Sequence, residues 1–237
     1  MGPEATIQRL RPEIVAVYSH DPVHFTQGLL WDQGVVVEST GRYGYSKVVR
    51  WRLEDGAVLR SVNLPRDYFG EGITLAKGAL VQLTWREGTA FFYDPASLRE
   101  LRRTAYEGEG WGLTFDGTWL IMSDGSDVLT FRDPQTLAVW RRLPVRRGRE
   151  PVRNLNELEY VEGFVYANVW QSREIMKIEA ASGRVVAVID GSVLPYRSRL
   201  PGEDVLNGIA WIPERRTFLL TGKLWPQIFE VRIPGAD

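Results

Sequence analysis

The chain has 237 residues, of which 44% are hydrophobic and 25% charged, enough for a sizeable core; its net charge of −1 offers no field for nucleic acid or an anionic membrane. The absence of cysteine excludes disulfides, thiol nucleophiles and thiolate metal sites, and leaves oxidising and reducing compartments equally open. No run approaches the ~18 apolar residues of a membrane span, and the opening MGPEATIQRLRPEIV lacks the apolar stretch of a signal peptide.

Taken in chain order, residues 1–12 read as a loosely ordered segment at the head of one domain covering 1–237, and 14–18 read as a strand. Then five related units follow: FTQGLLWDQGVVVEST (25–40), FGEGITLAKGALVQLTW (69–85), EGWGLTFDGTWLIMSDG (109–125), LNELEYVEGFVYANVW (155–170) and LNGIAWIPERRTFLLTGKLW (206–225). Each is a short strand, a tight turn such as Asp32-Gln33-Gly34 or Asp116-Gly117, and a second strand. Third strands end at further turns, two of them nearly alike: Asp94-Pro95-Ala96-Ser97-Leu98 and Asp133-Pro134-Gln135-Thr136-Leu137. Asp, Pro and Gly set the backbone angles that such turns need. Two loops are longer, an arginine-rich one at 144–153, expected to be solvated, and one at 191–204.

Aligned on the residue before the first glycine, the units begin at Gln27, Glu71, Trp111, Asn156 and Asn207, spaced 44, 40, 45 and 51 residues apart. Periods of about 40–50 residues belong to propeller blades, each a four-stranded antiparallel sheet. The expected fold is therefore all-β, a five-bladed β-propeller. The fifth unit runs out of chain after three strands, so the strand at 14–18 is expected to complete the last blade and leave no open seam.

In a propeller the first strand of each blade lines the central channel. Gly28, Gly72, Gly112 and Gly208 follow the first-ring positions and let backbones approach; the fourth unit has Glu157 there instead. Fourteen residues beyond the first ring come Gly41, Trp85, Gly125 and Trp170, and the longer fifth hairpin brings Lys223 to the matching place. Phe25 and Phe69 stand two residues before Gln27 and Glu71. The register thus gathers an aromatic-walled pocket around one carboxylate, one ammonium and several amides, the composition of a small-molecule site. Propellers use Trp between blades, and Trp31, Trp51, Trp119 and Trp140 are expected to serve packing of this kind. Two other readings stay open at this point. A metal-dependent propeller hydrolase of the lactonase kind would use Glu71, Asn156 and Asn207 as ligands, although His20 and His24 lie outside the ring. A binding propeller would use its rim for protein partners.

The stretches FTQGL (25–29), ESTGRYG (38–44), FGEGIT (69–74), QLTW (82–85), GWGL (110–113), SDGS (123–126), LNELE (155–159), ANVW (167–170), LNGIAW (206–211) and TGK-WP (221–226) resemble the plant and bacterial type of glutaminyl-peptide cyclotransferase. The resemblance implies a five-bladed propeller that cyclises the N-terminal glutamine of a peptide or protein to pyroglutamate, without a catalytic metal and with a structural calcium in some members. It places the catalytic carboxylate on Glu71 and the substrate pocket on Phe25, Gln27, Phe69, Trp85, Trp111, Asn156, Trp170 and Lys223. The partner it implies is a peptide N-terminus bearing glutamine, with no nucleic acid or membrane and with a monomeric chain. Bacterial relatives of this kind are commonly exported.

Overall fold

The computed structural model describes residues 6–235. These form five blades, each with a four-stranded antiparallel sheet, set around a common centre, and one further two-stranded hairpin. Blade one comprises Thr26–Asp32, Val35–Thr40, Lys47–Arg52 and Val58–Asn63, and blade two Gly70–Ala76, Ala79–Thr84, Thr89–Tyr93 and Glu100–Ala105. Blade three comprises Leu113–Phe115, Leu120–Met122, Val128–Arg132 and Val139–Pro144, and blade four Leu155–Val161, Phe164–Val169, Glu174–Glu179 and Val185–Asp190. In blade five, Leu206–Ile212, Thr217–Gly222 and Gln227–Arg232 are completed by Glu13–Ser19, which pairs antiparallel with Gln227–Arg232. The N-terminal strand therefore closes the ring, as the truncated fifth unit predicts. No helix of the described residues is long and apolar enough to cross a membrane.

The alternation of each blade explains its packing. Middle strands such as Ala79–Thr84 are buried almost throughout, because both faces meet neighbouring blades. Outer strands such as Glu100–Ala105 are largely exposed and charged. Apolar clusters fill the wedges between blades: Val37, Val48, Ile73, Leu80 and Phe91 join blades one and two, and Ile189, Leu206, Phe218 and Phe229 join blades four and five.

Several local expectations are corrected. Of the 1–12 segment expected to be loosely ordered, residues 1–5 lie outside the described residues; within the rest, Gln8–Leu10 forms a strand, pairing parallel with Val185–Asp190 as a fifth strand of blade four. The exposed backbone edge of that outer strand supplies the hydrogen bonds, a pairing no side-chain period announces. The arginine-rich 144–153 segment is largely exposed, as expected, but it is not irregular: Arg146–Arg147 and Glu150–Pro151 form a small hairpin, and Arg147 pairs with Glu174 at 3.0 Å. Trp31 and Trp51 pack inside, but Trp119 and Trp140 stack face to face at 4.5 Å with Trp140 more than half exposed.

The ring positions have a specific backbone form. Pairing between the two inner strands shifts register between Thr26 and Gly28, Gly70 and Ile73, Leu155 and Leu158, and Leu206 and Ile209. Gln27, Glu71, Asn156 and Asn207 thus sit in β-bulges, which re-aim side chains. Glycine after the ring residue is a packing requirement: a Cβ on Gly72 would lie 2.5 Å from the Leu113 nitrogen. Glu157 breaks the pattern and fills the centre of the ring. Its carboxylate accepts the backbone N–H of Leu29 at 3.2 Å and of Ile209 at 2.8 Å, reaching blades one and five at once.

Candidate active site

At the end of the channel where the inner strands begin lies a cavity of about 400 Å³. Its walls include Phe25, Gln27, Phe69, Glu71, Trp85, Trp111, Asn156, Trp170 and Lys223, joined by Arg86, Glu109, Gly202 and Glu203. The nine residues that sequence register and resemblance single out thus face one space. Asn207 does not line it. It is fully buried, with its amide donating to the Thr26 carbonyl at 2.9 Å and lying 3.4 Å from Gln27 Oε1.

Glu71 is placed by a relay of hydrogen bonds. Its backbone carbonyl accepts the Ser39 hydroxyl from blade one. Gln82 donates to Ser39 at 2.7 Å, and the Tyr93 hydroxyl donates to Gln82 at 3.1 Å. On the cavity side Gln27 Nε2 donates to Glu71 Oε1 at 3.1 Å. Glu71 is only 4% exposed, and burial pushes its pKa well above the usual carboxylate value. The Lys223 charge opposes that rise, while Glu109 and Glu87 add to it.

Lys223 stands on a turn tied to the ring closure. Its backbone N–H donates to the Val205 carbonyl, and that of Leu224, held in the left-handed region at φ +62°, donates to the His24 carbonyl at 2.7 Å. Burial lowers the Lys223 pKa to about 8, with Glu71 opposing. The ammonium lies 4.7 Å from the centre of the Phe25 ring, a cation–π contact.

The walls are edge-to-face aromatic pairs. Phe25 meets Phe69 at 6.3 Å, Phe69 meets Trp85 at 5.5 Å, and Trp111 meets Trp170 at 5.9 Å. Where the second ring carries glycine, an aromatic occupies the space: a Cβ on Gly41 would lie 2.3 Å from Phe69 of the next blade, and one on Gly125 2.7 Å from Trp111 of its own blade. Asn156 Oδ1, buried in the wall, has no hydrogen-bond partner among the described residues. The repeat register does not mark Arg86, Gly202, Glu203 or, most consequentially, Glu109. Glu109 stands two places before Trp111, as Phe25 and Phe69 stand before Gln27 and Glu71, so the signal was present. The 191–204 loop contributes Gly202 and extends to Glu203, which pairs with Arg42 across the mouth at 2.9 Å.

Among the described residues one group of His and carboxylate side chains has the spacing of a metal site: His20, His24 and Glu38, at the seam between blades one and five. Two imidazoles and one carboxylate are poor calcium ligands, since that ion takes six to eight oxygens. Glu38 already accepts Thr26 Oγ1 at 2.7 Å and Trp51 Nε1 at 3.2 Å in addition to both imidazoles. The donor set does not fit calcium.

The cavity therefore combines one raised carboxyl, one lowered ammonium and unpaired amide capacity in an aromatic enclosure. That set suits proton transfer on a small, amide-bearing substrate. The sequence profile described as glutamine cyclotransferase matches residues 2–233. A glutaminyl-peptide cyclotransferase of Arabidopsis thaliana is 41% identical over 230 residues, covering 95% of this chain and 72% of the relative. The crystal structure of Myxococcus xanthus glutaminyl cyclase superposes with a TM-score of 0.90 at 37% identity, covering 98% of this chain and 100% of that one. This chain belongs to the glutamine cyclotransferase family.

Proposed function

We propose that this chain cyclises the N-terminal glutamine of peptides and proteins to pyroglutamate with release of ammonia, and that Glu71 moves the proton. The observation that supports the second part is the burial of Glu71 in an enclosure with Lys223, Gln27 and Asn156. In the reaction the α-amine nitrogen attacks the side-chain amide carbon and a C–N bond forms. The amine proton passes to the Glu71 carboxylate and from there to the amide nitrogen. The C–N bond to that nitrogen then breaks, and ammonia leaves. One carboxyl serves as base and then acid, which favours a pKa raised toward the working pH.

Aromatic walls favour the neutral, nucleophilic amine over the ammonium, and holding both ends of one glutamine in a closed slot supplies proximity. Charge develops on the amide oxygen as the ring closes, and preorganised donors stabilise it. The indole N–H groups of Trp85 and Trp111 are engaged by Glu109, and the Gln27 amide by Glu71. Lys223, Asn156, Trp170 and the second N–H of the Gln27 amide are donors in the cavity wall that these bonds leave free, with Arg86 at its exposed side. The reading needs no metal and no second chain, since every group named comes from one polypeptide. The net charge of −1 gives nucleic acid no purchase.

Incubation of a short Gln-initiated peptide with the protein, with and without chelator, tests this by mass spectrometry. Loss of one ammonia in both conditions is expected. An untouched peptide in the presence of folded protein overturns the cyclisation. Turnover abolished by chelator supports the metal-dependent reading instead.

A further inference from the structure

Two aromatic walls meet at one carboxylate. Glu109 Oε2 accepts the indole N–H of Trp85 at 2.8 Å and that of Trp111 at 3.1 Å. Trp85 directly follows the second strand of blade two and Trp111 stands just before the first strand of blade three, so this one oxygen spans the gap between blades. The other oxygen accepts Arg86 Nε at 3.1 Å, and the Arg86 guanidinium lies 3.8 Å over the Trp85 ring. Phe69 packs edge-on to Trp85 and Trp170 edge-on to Trp111, so both walls are tied to Glu109.

We propose that Glu109 is a positioning residue for the cyclisation: it sets the slot by holding the indoles of Trp85 and Trp111 on one oxygen, and it fixes a negative charge in the cavity that Glu71 shares. This rests on the cyclisation reading above. An indole N–H can only donate, and a carboxylate oxygen has two lone pairs, so one oxygen satisfies both rings and fixes their mutual angle. Hydrogen bonds to a charged acceptor are the stronger kind, which makes the clamp stiffer than a neutral amide would. Burial pushes the Glu109 pKa up, but the donors from Trp111, Trp85 and Arg86 outweigh it and hold the group below its usual value. Glu109 therefore stays ionised over the range where Glu71 titrates, and its charge adds to burial in keeping Glu71 protonated to higher pH. Arg86, whose side chain is more than half exposed, pairs with the other Glu109 oxygen at the exposed side of the arrangement.

The test compares wild type, Glu109→Gln and Glu109→Ala for ammonia release from a Gln-initiated peptide across pH, with the indole N–H resonances of Trp85 and Trp111 read by NMR. In Glu109→Ala both indole signals shift and KM rises about tenfold or more, the scale of losing hydrogen bonds to a charged group. In Glu109→Gln the amide oxygen still accepts the indoles, so KM stays within about threefold, while the acid limb of kcat/KM moves to lower pH because the repulsion on Glu71 is gone. Wild-type KM and unmoved indole signals in Glu109→Ala overturn the clamp. Should that variant fail to fold, an unmoved acid limb in Glu109→Gln overturns the proposal by itself. A wild type that releases no ammonia refutes the cyclisation instead, and the indole signals of the variants then still report whether the clamp exists.

Discussion

Gln27 and Glu71, 44 residues apart and in adjacent blades, are joined by a 3.1 Å hydrogen bond from the amide to one carboxyl oxygen. The amide can donate whether Glu71 is ionised or protonated, so the bond orients the carboxyl through the whole proton cycle. It also leaves the other carboxyl oxygen to the cavity.

Replacing Glu71 by Gln keeps the shape and removes the proton carrier. The variant is expected to fold, to melt within a few degrees of wild type, and to lose about 10²- to 10⁴-fold in kcat, the usual worth of a general acid–base group. Ammonia release at saturating peptide measures it. Full activity in the variant would remove Glu71 from the proton path.

Lys223 governs the pH window from the other side. Its pKa is lowered to about 8 by burial, so the ammonium is lost as pH rises through that value, and activity is expected to decline there. While charged, it opposes the burial that raises Glu71. In Lys223→Met that opposition is gone, so the Glu71 pKa climbs further and the acid limb of kcat/KM moves to higher pH. The alkaline limb near 8 disappears. A kcat/KM profile over pH 5–10 shows both changes, and an acid limb that stays in place would separate Lys223 from Glu71 electrostatically.

Glu157 shows where repeat reasoning reaches its limit. Four units carry glycine at this place, and the register marks Glu157 of the fourth unit as an exception without saying why. The structure supplies the reason: inner strands at a closed channel leave N–H groups with no neighbouring strand, and Glu157 satisfies those of Leu29 and Ile209. Glu157→Gly restores the repeat pattern and is still expected to destabilise, by about 2–4 kcal/mol, since two buried donors lose their acceptor. Urea unfolding measures the loss. Stability equal to wild type would mean that the channel centre carries no such demand.

The same logic decides what was legible in the site. Blade number and closure follow from a period and a missing strand, both sequence properties. Trp85 and Trp170 follow from one fixed offset, and Lys223 from the same offset lengthened by two in the longer fifth hairpin, because each blade repeats the same hairpin. Glu109 did not stand out, since a carboxylate in an EGEGWG stretch looks like a solvated turn until the two indoles are seen to point at it. Gly202 and Glu203 come from the 191–204 loop and its end, outside the repeat altogether, so no offset could find them. Chain period reports what repeats; it is silent on groups that meet through side chains of unequal length.

A last prediction concerns the seam that closes the ring. His20 follows the N-terminal strand, Glu38 belongs to blade one, and Trp225 to blade five. His20 Nδ1 lies 2.6 Å from the Trp225 carbonyl and Nε2 lies 3.0 Å from Glu38 Oε1. Both partners are acceptors, so both ring nitrogens carry protons and His20 is an imidazolium paired with a Glu38 carboxylate. His24 and Asp21 are the other titratable groups at this cluster. Burial alone would lower the His20 pKa, but the Glu38 charge and hydrogen bond raise it above 6.5. Burial would likewise raise Glu38, but His20 and His24 carry it well below 4.5. A raised histidine contributes stability that is complete below its unfolded pKa and is lost as pH rises through the folded one. A depressed carboxylate contributes stability above its unfolded pKa that is lost as pH falls through the folded one. The pair is therefore strongest between about pH 4.5 and 6.5, and the urea midpoint is expected to fall on either side of that window. In Glu38→Gln the partner charge is removed, stability drops by about 3–5 kcal/mol, and the alkaline fall disappears because His20 no longer gains a proton on folding. A midpoint that keeps its alkaline fall in Glu38→Gln would assign the pH dependence to other groups and leave the closure independent of the imidazolium.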